Sequence, residues 1–280
     1  MEKVLKSIFT GVGVEEEKVN TFVKEHIDKY RKYVFIHKTA EIARKNKSYN
    51  YEYWEILGDA LLTKLVVWYI PKRYPQLRNQ EGVKVISQLK SKIISSQSYA
   101  SFALKLKFNE IIDICPELMM DMPVCLLEDV FEAFFGFTEH FWNVFFKTNQ
   151  GHQICMKIIS KLLDEQEYSL EFDELYDPIQ RLLQIEQKYK LKIVEENDVM
   201  SLYKKSNLFL ETKDGKVPIG FGRGHTISEA KKLACEVAID CLASMNYEIE
   251  KPSFYKELEE KEKLKKKPPS NKRPRIQTKK

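Results

Sequence analysis

Two short stretches carry paired carboxylates at helical spacing. In Asn50-Tyr51-Glu52-Tyr53-Trp54-Glu55-Ile56-Leu57-Gly58-Asp59-Ala60-Leu61-Leu62, Glu55 and Asp59 are four residues apart. In Leu126-Leu127-Glu128-Asp129-Val130-Phe131-Glu132-Ala133-Phe134-Phe135-Gly136, Asp129 and Glu132 are three apart. Either spacing puts both acids of a pair on one helix face. The faces are otherwise apolar, and no Lys or Arg stands beside the acids within either stretch. One such pair is ordinarily a solvated surface. Two pairs, each inside an apolar helix, describe four acids brought together, where unpartnered ionised carboxylates are costly. A hard divalent cation with oxygen ligands is the simplest way to hold them.

The elements that must position these acids are helices. Apolar periodicity predicts helix over residues 1–30, with Val4, Ile8, Val19, Phe22 and Val23 buried. It predicts one long helix over 51–73, ending near Pro71, and helix again from Val83 to Leu106. Ile111 to Pro123, with two prolines, reads as irregular. Cys125 to Thr148 is the second acidic helix, its phenylalanines suited to a core, and Gln153 to Gln166 is a further amphipathic helix. Gly58, Ala60, Ala133 and Gly136 are small enough for two backbones to approach closely.

The pattern changes after an acidic stretch over 166–176, which reads as a linker. Asp177-Pro178 starts a helix, with Pro in the first turn. Leu191 to Glu195 alternates like a strand, and Leu202 with Leu208 to Leu210 suggests a second. Asp214-Gly215 marks a hairpin turn, Lys216 to Phe221 returns, and Gly222-Arg223-Gly224 reads as a loop. Thr226 with Glu229 is a capping-box pattern opening a helix to Met245. The fold class is therefore α+β: a helical domain over 1–165, the linker, an α-β-β-β-α domain over 177–246, and a charged tail over 247–280.

The first region resembles the ribonuclease III family. Glu52-x-x-Glu55-x-Leu57-Gly58-Asp59-Ala60 is similar to the family signature, and Asp129-x-x-Glu132-Ala133-x-x-Gly136 to its second acidic motif. His37-Lys38-Thr39 resembles the His-x-Ser segment before the signature, and Leu89 to Ala103 the helix between the motifs, with Lys90 where Arg is usual. The resemblance runs over about residues 30–145. It implies Mg²⁺, with Mn²⁺ as a substitute, held by Glu55, Asp59, Asp129 and Glu132. Asp59 and Glu132 would be the catalytic acids, and Glu52 a supporting one. It also implies an endoribonuclease that cuts double-stranded RNA with metal-activated water, leaving 3′-hydroxyl and 5′-phosphate ends, and acting as a homodimer because each motif occurs once. The alternative is a non-catalytic duplex-RNA-binding or ribosome-associated scaffold on the same fold, which the retention of all four acids disfavours. A duplex-RNA sequestering factor is a third reading. Tyr51 departs from the family's Asn, Tyr53 from its Arg, and Ile56 from an aromatic that meets the partner subunit.

The 177–246 region resembles a double-stranded-RNA-binding domain. Such domains recognise duplex shape through minor-groove and phosphate contacts. Gln184 and Gln187 on the first helix, Lys204 and Lys205 near the second strand, and Lys231 and Lys232 on the last helix are the RNA-binding candidates. Ile227 and Ser228 stand where the family places two lysines, and its Gly-Pro-x-His loop is absent.

Composition bounds the rest. The formal net charge is +5, but residues 261–280 alone carry ten Lys or Arg against Glu262, a net +9, so the remaining residues carry −4. That basic segment cannot bury a core and reads as disordered. It suits solvation, nonspecific phosphate contact or nuclear import near 265–275. The five cysteines are odd in number and lack metal-binding spacing. No charged-then-apolar leader opens the chain, and no apolar run would span a bilayer. The expectation is an intracellular protein, cytoplasmic or nuclear, with no membrane partner.

Overall fold

The computed structural model describes residues 1–46, 51–199 and 202–256. The basic segment over 261–280 lies outside them. The chain forms two compact units, Met1–Ser169 and Leu170 onward. Among the described residues, no helix is long and apolar enough to cross a membrane.

The first unit is helical: α1 Glu2–Thr10, α2 Glu16–Tyr33, α3 Glu41–Lys45, α4 Glu52–Arg73, α5 Val83–Ile93, α6 Ser96–Lys105, α7 Pro116–Met119, α8 Val124–Phe146 and α9 Gln150–Asp164. Its centre is α8. A helix that is apolar all round belongs in the middle of a fold, and Leu126, Val130, Phe131, Phe134, Phe135, Phe137 and Trp142 are all buried. Their rings meet those of Phe9, Phe22 and Tyr30 from α1 and α2 at centroid distances of 4.1 to 6.2 Å. A buried hydroxyl pair on this face is satisfied internally, Tyr30 Oη and Thr138 Oγ1 at 2.9 Å.

Helix α4 lies directly against α8, and glycine is what permits it. A methyl group at Gly58 would stand 1.7 Å from the carbonyl oxygen of Glu132, and one at Gly136 2.3 Å from that of Trp54. The two backbones therefore touch where the two acidic motifs cross. The end of α4 is fixed separately. Pro71 lies within its last turn, and the Arg73 guanidinium donates to Leu163 O at 2.6 Å and Gln166 O at 2.8 Å.

Four sequence expectations in this unit need correction. The expected helix over residues 1–30 is two, α1 and α2, separated by residues 11–15. The expected helix over Val83–Leu106 breaks at Ile94 and Ser95. Ser95 accepts a hydrogen bond from Ser98 N and starts α6 as an N-cap. The stretch Ile111–Pro123 is not wholly irregular, since Pro116 opens the short α7. Val4 is only half-buried, and Leu5 and Phe9 join Ile8 in the core instead.

The second unit contains α10 Phe172–Leu175, α11 Pro178–Tyr189, β1 Ile193–Asp198, β2 Lys204–Thr212, β3 Gly215–Gly224 and α12 Ile227–Ser244. The sheet is antiparallel in the order β1-β2-β3. Leu182, Ile185, Leu208, Leu210, Ile219, Ala234 and Leu242 form its core. The capping box is present, with Thr226 and Glu229 each bonding the other's backbone. Leu202 falls outside β2 and is exposed. Gly222-Arg223-Gly224 belongs to β3, not to a loop: Gly222 pairs with Ser206 and Gly224 with Lys204. A methyl group at Gly222 would stand 1.8 Å from Ala230 O, so glycine here lets the strand lie against α12. The segment read as a linker over 166–176 contains α10, whose Phe172 and Leu175 are buried.

Candidate active site at the helix crossing

The crossing of α4 and α8 brings the four motif acids to one place. Glu132 is 8% exposed. Burial pushes its carboxyl up to about 8, with Asp59, Glu128, Glu55 and Asp129 adding to the effect in that order. Burial also raises Glu55, followed by Asp129 and Glu52. Asp129 is raised by burial and then by Glu128. Glu55, Asp129 and Glu132 thus each feel the charge of an acid on the other helix. Asp59 is exposed, and yet its charge acts on Glu132 more strongly than any other.

Four features of this site were not legible in the motifs. One is a cation. The His37–Thr39 loop is pinned by Thr39 N to His37 Nδ1 at 3.3 Å, Cys115 N to Thr39 Oγ1 at 3.4 Å and a backbone bridge between Ile36 and Asp113. It carries Lys38 to Glu52, Nζ to Oε1 at 3.1 Å, and its charge favours the ionised forms of Glu55 and Asp129. The second is Glu128, whose charge bears on Glu55, Asp129 and Glu132. The third and fourth are tyrosines, Tyr51 before α4 and Tyr99 on α6, both buried. A cavity of about 320 Å³ lies beside the acids, lined by His37, Lys38, Tyr51, Glu52, Glu55 and Asp129 among others.

Among the described residues, no three His, Cys, Asp or Glu side chains are arranged to enclose a metal ion. The donor set nonetheless fits Mg²⁺. That ion keeps several waters and is held through one or two carboxylates, so a closed protein cage is not required. All the donors are hard oxygens, and their mutual repulsion is the electrostatic counterpart of a bound cation.

The raised Glu132 carboxyl has a thermodynamic consequence. Its unfolded value is near the ordinary 4.5. Between about pH 5 and 8 the folded chain therefore holds a proton that the unfolded chain lacks, so stability falls as pH rises and levels off above about 8. The limit is about 1.4 kcal/mol per pH unit for one group. The metal-free protein is expected to melt several degrees lower at pH 8 than at pH 5, and Mg²⁺ to restore more stability at pH 8. A metal-free melting temperature that does not fall over this range would contradict the buried charge.

No protein-family model matches the chain. A putative ribonuclease 3 of Invertebrate iridescent virus 6 is 30% identical over 211 residues, which cover 69% of this chain and 72% of that protein. The chain belongs to the ribonuclease III family of endoribonucleases. A putative ribonuclease 3 of Frog virus 3 (isolate Goorha) is 33% identical over 150 residues, covering 50% of this chain and 38% of that protein. The nuclease domain of ribonuclease III from Campylobacter jejuni superposes with a TM-score of 0.40 at 20% identity, over 55% of this chain and 99% of that one.

In the second unit of this ribonuclease III chain the RNA-binding candidates stand apart from the acids in sequence. Gln184 and Gln187 are exposed on α11. Lys204 Nζ donates to Val199 O at 2.6 Å. Lys205 pairs with Asp198 at 3.4 Å, Lys231 with Glu195 at 2.5 Å and Lys232 with Asp177 at 3.4 Å. Sequence reasoning located the lysines and missed their acidic partners, two of which lie on β1. Arg223, also missed, stacks on Tyr203, its guanidinium carbon 4.1 Å from the ring centre.

Proposed function

We propose that the protein is a Mg²⁺-dependent endoribonuclease that cleaves double-stranded RNA as a homodimer, leaving 3′-hydroxyl and 5′-phosphate ends. The observation that carries this reading is Glu132: a nearly buried carboxylate at a glycine-mediated helix crossing, within the fields of Glu55, Asp59 and Asp129. Such a group is costly unless a cation shares the site. Glu55, Asp59, Asp129 and Glu132 would hold the ion, with Mn²⁺ as a substitute. A bound divalent cation supplies activation of water and stabilisation of charge on the phosphate and the leaving oxygen.

The chain's own residues do the rest. The α4–α8 crossing fixes the acids on two rigid helices. Lys38 pairs with Glu52, and its positive charge offsets the acids of the cluster. Glu52 supports the site in this way and is not a ligand. Duplex RNA has two strands of opposite polarity, and one cluster per chain suits a two-fold dimer with one site per strand. Exposed Tyr53, Ile56, Leu57 and Trp68 on α4 supply apolar surface for a second copy. The basic segment over 261–280 would add phosphate contacts or a nuclear-import signal.

The test is cleavage of a long RNA duplex by the purified chain with Mg²⁺ and with chelator, alongside light scattering. Cutting with Mg²⁺ alone, 3′ overhangs, and a dimer that Ile56→Lys converts to an inactive monomer are expected. Equal cutting under chelator, or both strands cut by a monomer, would refute the reading.

A further inference from the structure

Two tyrosines outside the acidic pairs border the carboxylates from different elements. Tyr51, 2% exposed, precedes the first residue of α4, and Tyr99, 0% exposed, lies on α6. Among the described residues, neither buried hydroxyl has a hydrogen-bond partner. Leaving a buried hydroxyl unpaired costs about 1–3 kcal/mol, and native folds leave few such groups. Two beside one functional cluster therefore call for an account.

Their surroundings supply it. The Tyr99 ring lies 5.1 Å from that of Phe131, the residue before Glu132 on α8, and the acidic charge bearing most on Tyr99 is that of Glu132, as Asp129 is for Tyr51. The Tyr51 hydroxyl already favours the charged form of Asp129, though it stops short of hydrogen-bond geometry. A phenol is protonated at neutral pH. A protonated phenol among carboxylates donates. Tyr51 also lines the 320 Å³ cavity together with Asp129, Glu55 and Glu52, so Asp129 has room to turn.

We infer that Tyr51 and Tyr99 are positioning residues for the cation site, Tyr51 donating its O–H to Asp129 and Tyr99 to Glu132 once the acids draw together. Each hydroxyl takes one lone pair of its carboxylate, fixes that side chain's rotamer, and leaves the remaining lone pairs directed at the ion. This inference rests on the metal-site reading above. Neither tyrosine touches RNA or the reacting phosphate.

The test uses the full chain and Mn²⁺ alone, titrated by calorimetry or by the electron paramagnetic signal of the free ion. Tyr51→Phe and Tyr99→Phe should each weaken Mn²⁺ binding by about tenfold or more, the worth of a hydrogen bond to a charged group. Melting without metal should be unchanged or higher, because each substitution removes an unpaired polar atom. The effect should be specific to the pair: Tyr51→Phe costs nothing further in an Asp129→Asn background, nor Tyr99→Phe in a Glu132→Gln background. In cleavage at limiting Mn²⁺, kcat should fall while KM for the duplex holds. Wild-type Mn²⁺ affinity in either phenylalanine variant overturns the inference for that tyrosine, and so does a loss that persists undiminished in the carboxylate variant. Failure of the metal site itself would look different: Asp129→Asn and Glu132→Gln would both bind Mn²⁺ like the wild type, and the tyrosine inference would fall with it.

Discussion

Glu132→Gln should cut the rate of duplex cleavage by about 10²–10³-fold, since on the proposed reading several kcal/mol of transition-state stabilisation by a bound cation would be lost with this ligand. The same substitution should make the metal-free protein more stable at pH 8. Glutamine has nearly the shape of the glutamic acid and resembles its protonated form. Burial and the surrounding acids push the native carboxyl up to about 8, so ionising it near neutral pH costs folding free energy that the amide does not incur. The fall in melting temperature between pH 5 and 8 should shrink in the variant. Opposite signs for stability and activity separate a charge needed for chemistry from a residue needed for folding. Near-normal cleavage by a well-folded Glu132→Gln protein would sink the assignment of this acid. A variant that melts lower than wild type at pH 8 would show instead that the charged form is stabilised in the fold.

Gly58→Ala should be the most damaging single-methyl change in the first unit. In an exposed helix, Ala in place of Gly would gain about 1 kcal/mol. At Gly58 the added methyl would meet Glu132 O at 1.7 Å and its carbonyl carbon at 2.4 Å. Both are backbone atoms, so no side chain can swing aside and α4 must move from α8. Overpacking a filled core costs about 1–3 kcal/mol, and backbone against backbone lies at or beyond the upper end. At about 2–4 °C per kcal/mol for a chain of this size, melting should drop by about 5–10 °C. Activity should fall further than stability does, because the displaced atom belongs to Glu132 and the displaced helix carries Glu55 and Asp59. Gly136→Ala, whose methyl would meet Trp54 O at 2.3 Å and Gly58 N at 2.7 Å, should behave alike. Unchanged melting in both variants would mean that the helices are not held at this separation.

Much of this was legible in the chain because periodicity reports burial. The long run from Glu52 to Arg73 and the phenylalanine-rich run from Val124 to Phe146 read as helices and are helices. The Asp-Pro start of α11 and the Thr226 capping box depend on local backbone chemistry, and local chemistry survives into the fold. The breaks were harder to read. Nothing in the apolar pattern of 83–106 marks Ser95 as a cap, since serine is tolerated mid-helix. Two glycines around Arg223 resemble a loop until α12 is packed against them. At the site, spacing within each helix placed the four acids. Glu128 and Tyr51 stand beside motif acids in the chain, whereas Lys38 and Tyr99 come from other segments, and only the fold brings those two to the site. Their approach to the acids has no signature in a linear pattern.

The ion pairs of the second unit change what it would mean for this domain to meet a polyanion. Lys205, Lys231 and Lys232 each already hold a carboxylate. A phosphate arriving there could not simply collect a waiting cation; it would have to substitute for Asp198, Glu195 or Asp177. Releasing a surface pair is cheap, about 0–1 kcal/mol, so exchange is open. The displaced acid, however, stays tethered within the same fold and repels the newcomer. Fewer small ions are set free per contact than when a bare lysine is neutralised. The domain would therefore act as a competitor against its own acids and disfavour casual anions. Only a ligand rigid enough to engage several positions together gains enough to displace them.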